Sequence, residues 1–103
     1  MSEAASDLVS EASVPISAPS RYLGQLCKHF QHKVPVTLDE HHGRIEFPAG
    51  RCELDAPAGA GTLHMRVVAT DRSALAALED VLTRHLVRFA FREKLDVDWR
   101  QVS

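Results

Sequence analysis

Apolar residues recur along this chain at two spacings, and most changes of spacing fall at a proline, a glycine or a capping residue. "ASVPIS" (12–17) alternates apolar with polar and predicts a strand. Pro15 inside it cannot donate to a ladder, which places that strand at a sheet edge. Ser17 as N-cap and Pro19 in the first turn then open a helix that runs to about His32. Its Tyr22, Leu23, Leu26, Cys27 and Phe30 gather on one side at helical spacing. "VPVTLDE" and "GRIEF" alternate again, with Val34, Val36, Leu38, Ile45 and Phe47 facing one way and Thr37, Asp39, Arg44 and Glu46 the other. Pairing Leu38 with Ile45, Val36 with Phe47 and Asp39 with Arg44 sets apolar against apolar and acid against base. That register leaves Glu40, His41, His42 and Gly43 as a hairpin loop, with Gly43 supplying the left-handed turn.

"PAG" (48–50) turns the chain into "RCELDA", and "PAGAG" (57–61) loops it into "TLHMRVVA", with Cys52, Leu54, Leu63, Met65 and Val67 inward. Thr70 or Asp71 caps a long amphipathic helix through Phe91, whose stripe is Leu75, Leu78, Leu82, Leu86 and Phe89. Asp80 and Arg84 form an i,i+4 pair on it. "KLDVDWRQV" closes the chain as a strand with Leu95, Val97 and Trp99 inward. The order is β-α-β-β-β-β-α-β. One apolar face per strand and one stripe per helix predict an α+β two-layer sandwich. Both helices cover one face of a mainly antiparallel sheet, and the outer face is charged.

At 103 residues the chain makes one domain, expected over 11–103 behind a frayed tail at 1–10. With 12 lysines and arginines against 14 acids there is no basic excess, which argues against nucleic acid as a partner. The opening "MSEAASDLVSEA" lacks a signal peptide's features, and no apolar run is long enough for a membrane span, so a cytoplasmic setting is expected. Cys27 and Cys52 both fall on apolar flanks, which predicts buried free thiols and makes Cys52 core rather than a nucleophile.

"SRYLGQLCKHFQHKVPV" and "LEDVLTRHLVRFAFREKLDVDW" resemble a small bacterial domain of unknown function that occurs alone and fused to siderophore-interacting flavoproteins. The resemblance spans residues 12 to 100 and assigns no catalytic residues. It implies a TATA-binding-protein-like topology, without the basic saddle that DNA binding needs. Through the fusion habit it also implies a link with iron uptake, and a flavin-dependent siderophore reductase as partner.

Residues 26–43 hold one cysteine and four histidines. Cys27 and His29 point almost oppositely on a helix, whereas His29 and His32 are i,i+3 neighbours able to chelate a metal as a pair. Solvated side chains are the ordinary reading of both. His41 and His42 at the hairpin tip are candidates for surface contact. A second constellation depends on register. If Phe47 pairs with Cys52 and Leu54 with Leu63, then Thr37, Glu46, Glu53 and His64 form one row on the outer face. Two carboxylates and an imidazole there suit iron, manganese or zinc. The competing reading is a solvated face neutralised by Arg44, Arg51 and Arg66. His85 is expected half-buried with a ring nitrogen on a backbone carbonyl, and Phe91 lies off the core stripe.

No nucleophile-elbow, phosphate-loop, dinucleotide or zinc-protease motif occurs. Three readings follow. The first is a non-catalytic accessory or binding module associated with iron or siderophore use. The second is a metal- or small-ligand-binding protein using the outer face, and the third is a small enzyme.

Overall fold

The computed structural model describes residues 7–103. Its elements are β1 (Leu8–Pro15), α1 (Pro19–Phe30), β2 (Val36–Leu38), β3 (His42–Phe47), β4 (Gly50–Asp55), β5 (Thr62–Ala69), α2 (Arg72–Phe89) and β6 (Arg100–Gln101). The six strands form one sheet in the order β2-β3-β4-β5-β1-β6, and every neighbouring pair is antiparallel. The helices pack on one face of the sheet, in agreement with the two-layer α+β sandwich expected from the alternation. The core lies between the layers: Leu23, Leu26, Cys27 and Phe30 of α1 and Leu75, Leu78, Leu82 and Leu86 of α2 are buried against the inward residues of the strands.

Several boundaries differ from expectation. β1 begins at Leu8, so Leu8–Ser10 are ladder residues rather than tail; residues 1–6 of the expected tail lie outside the described residues. β1 is also an inner strand, between β5 and β6. Pro15 is tolerated because β6 pairs only with Ser10 and Glu11, so no donor is asked of it on that side. Ser17 does not cap α1. Ala18 takes the cap position at φ 51°, ψ 58°, a left-handed conformation costly for a residue with a Cβ. Ser17 instead donates both its N–H and its hydroxyl to the Glu93 carboxylate, at 2.9 and 2.6 Å, tying the entry of α1 to the chain beyond α2. Asp71 caps α2 as expected, with Oδ1 accepting from the Ala74 N–H at 2.8 Å. The closing strand is short, Arg100–Gln101, and the chain after it stays on β1 through the Val102 N–H donating to the Val9 carbonyl at 2.7 Å and the Val9 N–H donating to the Ser103 carbonyl at 2.9 Å. Leu95, Val97 and Trp99 still alternate onto the core, and Trp99 Nε1 donates to Thr83 Oγ1 at 2.8 Å.

The three hairpin registers are each displaced by two residues from the expected ones. Val36 pairs with Ile45, Ile45 with Cys52, and Leu54 with Met65. The first turn is consequently Asp39–His41, closed by the Asp39 carboxylate accepting the N–H groups of His41 and His42 at 3.0 and 2.9 Å. Gly43 is therefore a strand residue, and the glycines with positive φ are Gly59 and Gly61 in the loop after β4. Gly43 is needed for packing. An ideal Cβ there would sit 2.5 Å from Cys27 Sγ, so the missing side chain lets α1 approach β3.

Candidate functional site

Because side chains alternate across a strand, the sheet face away from the helices collects every second residue of each strand. The ladder aligns them in rows. One row runs Arg100, Glu11, Arg66, Glu53, Arg44, Thr37 across all six strands, alternating in charge from Arg100 to Arg44. Beside it run Ser13, His64, Asp55 and His42 on one flank and Val9, Val68, Arg51 and Glu46 on the other. The expected row of Thr37, Glu46, Glu53 and His64 is thus not assembled. All four lie on the predicted face, but Glu46 stands opposite Arg51, Glu53 lies between Arg44 and Arg66, and His64 between Asp55 and Ser13. Two-residue displacements keep every side chain on its face while changing every neighbour.

The carboxylates that would have faced each other are neutralised by arginines. Arg44 pairs with Glu46 at 2.6 Å, Arg51 with Glu53 at 3.1 Å, and Arg66 with Glu11 at 3.6 Å. These groups are a quarter to a half exposed, so each pair contributes on the order of 0–1 kcal/mol and mainly orders the surface. Among the described residues no three His, Cys, Asp or Glu side chains are grouped to hold a metal.

Near the middle of this face is a depression of about 230 Å³ lined by Glu11, Ser13, Glu53, Asp55, His64 and Arg66. Ser13 Oγ lies 2.7 Å from His64 Nδ1. Asp55 stands opposite His64 but its Oδ1 accepts from His42 Nδ1 at 2.7 Å. Serine, histidine and aspartate are adjacent here, yet the carboxylate orients a different imidazole from the one bonded to the hydroxyl. The wiring of a nucleophilic triad is not that of this cluster. The hydrogen bond to Asp55 raises the His42 pKa above the ordinary histidine value against some desolvation. The charges of Asp55, Asp39 and Glu53 add to the rise.

His41, expected with His42 as a surface contact, is turned toward the protein. Its Nδ1 donates to the Ala56 carbonyl at 3.0 Å and lies 3.2 Å from Ser20 Oγ, pinning the hairpin to the start of α1. His29 and His32 remain on α1 and the turn after it, but His29's close partner is on the other helix. Its ring centre lies 4.7 Å from that of His85. Desolvation lowers the His29 pKa first, followed by the charges of His85, Lys33, Arg88 and His32. His85 Nδ1 donates to the Val81 carbonyl at 2.7 Å, as expected of a half-buried histidine on a helix. Helical spacing within each helix gave no sign that the two would meet. Cys27 and Cys52 are buried free thiols, pushed up to about 11 and about 12 by burial, and so stay protonated at neutral pH.

No helix among the described residues is long and apolar enough to cross a membrane. The fold is similar to the NMR structure of PA4090 from Pseudomonas aeruginosa. The TM-score is 0.77 and the identity 33%, over 90% of this chain and 95% of that one. None of the curated proteins matches. The model of the family described as "uncharacterized protein conserved in bacteria", DUF2218, matches residues 11–100, and the chain belongs to that family.

Proposed function

We propose that this chain is a non-catalytic binding module that receives its partner on the open face of the sheet, centred on the depression beside His64. The observation that carries this reading is the recess itself. Ser13, Glu53, Asp55, His64 and Arg66 converge on it from three adjacent strands, β1, β4 and β5. Side chains on paired strands are held more precisely than those on loops. Donors and acceptors alternate around the recess, which suits a partner presenting both charges rather than a simple polyanion.

Given the fusion habit of the domains it resembles, the partner this reading names is a flavin-dependent siderophore reductase, with the module acting as an accessory in iron handling. Two unoxidised buried cysteines are in keeping with a reducing, cytoplasmic setting. A second reading, a small polar ligand held in the recess, is favoured by Glu53, Asp55 and His64 sharing its wall, although they are not grouped closely enough to hold a metal as they stand. A metal there would have to displace Arg51 from Glu53 and His42 from Asp55.

The test is an amide NMR titration of the labelled chain with the reductase, repeated with a Glu53→Gln/His64→Ala variant. Binding should shift residues of β1, β4 and β5 and weaken strongly in the variant, whose fold is retained because neither side chain faces the core. Shifts confined to the helices, or unchanged affinity in the variant, would remove the sheet face from consideration.

A further inference from the structure

The helix layer carries a second, independent site. We propose that His29 of α1 and His85 of α2 form a two-imidazole chelate for a divalent transition-metal ion, of the copper, nickel or zinc class. The rings meet across the helix–helix contact with centres 4.7 Å apart and planes inclined at 52°. An ion held by two ring nitrogens at about 2.0–2.1 Å lies roughly 3.2 Å from each ring centre. Ligand angles between about 90° and 110° therefore set the centres about 4.5–5.2 Å apart. The observed separation falls inside that window.

The protonation pattern also fits. A carbonyl oxygen only accepts, so the 2.7 Å contact with Val81 puts the His85 proton on Nδ1 and leaves the Nε2 lone pair free. Metal-ligating histidines are commonly oriented by such a bond to a backbone carbonyl. Aromatic rings hold the pair in place: Phe30 is 4.9 Å from His29 and 5.0 Å from His85, and Phe89 is 5.6 Å from His29. His29 also lies in the last turn of α1, where the helix end favours a cation. Lys33 and Arg88 oppose it, so binding should tighten as salt screens them. Borderline ions with open coordination positions suit two neutral nitrogens better than magnesium or calcium do. Water or a partner's side chain would complete the shell.

The test uses the full chain, titrated with zinc chloride and followed by the side-chain nitrogen resonances of the six histidines, with copper(II) EPR in parallel. Saturable shifts at His29 and His85, and a copper signal with two-nitrogen coupling, are expected. His29→Gln and His85→Gln should each abolish both, while His32→Gln and His42→Gln leave them intact. Should His85→Gln fail to fold, His29→Gln decides, since His29 is exposed on α1. Binding that survives His29→Gln, shifts centred on His41, His42 or His64, or no saturable binding of either ion would overturn the proposal.

Discussion

Replacing Gly43 by alanine tests how α1 is seated on the sheet, and with it the placement of both candidate sites. The new Cβ would lie 2.5 Å from Cys27 Sγ and 3.3 Å from Leu23 Cδ2, and both side chains are fully buried. Carbon and sulfur atoms pack best at about 3.5–4.0 Å, so the sulfur must move by roughly 1 Å in a region with no spare volume. Overpacking of this kind costs about 1–3 kcal/mol. The backbone partly offsets it, because alanine in a strand gains about 0.5–1 kcal/mol over glycine where φ is ordinary. A net loss of about 1–2 kcal/mol follows, which for a domain of this size lowers Tm by about 4–8 °C per kcal/mol.

The decisive variant is the double one. Cys27→Ala removes the clashing sulfur, so adding Gly43→Ala to it should cost little or even stabilise, with a coupling of about 1–2 kcal/mol between the sites. Urea denaturation of the four proteins measures this directly. If Gly43 were instead a turn glycine, as the residues around it suggest, alanine would be penalised through its backbone whatever occupied position 27. Additive losses would then refute the packing account and, with it, the hairpin register.

The remaining expectations concern the core and the histidines. Leu82 is completely buried under α2, and Leu82→Ala should cost about 2–5 kcal/mol in the same urea assay; a loss under half a kcal/mol would mean the stripe is not core. The His42 pKa is raised in the folded state by its bond to Asp55, so the pair's contribution is complete below the unfolded histidine value. That contribution is lost as pH rises through the raised value. Stability should therefore fall slightly across that window, with the effect kept small by the roughly half-exposed side chains, and Asp55→Asn should flatten it. NMR titration of the His42 ring should show the raised value in the native chain and a lower one in Asp55→Asn.

Side-chain alternation and helical periodicity were enough to order the elements, to choose the inward residues and to assign the two helices to one face. Those properties depend on periods of two and of about 3.6, which are local and survive small errors. Asp71 as a cap and the inward set Cys52, Leu54, Leu63, Met65 and Val67 follow from them directly. Register does not, because a displacement of two residues leaves every face unchanged and every neighbour different. It was decided by the Asp39 turn and by the two-residue turn that lets Phe47 pair with Gly50. For that reason Glu53 meets arginines rather than Glu46, and Asp55 reaches His42 rather than His64. The approach of His29 to His85 belonged wholly to the tertiary structure. They lie on different helices far apart in the chain, and only the docking of both helices on one sheet brings their rings together.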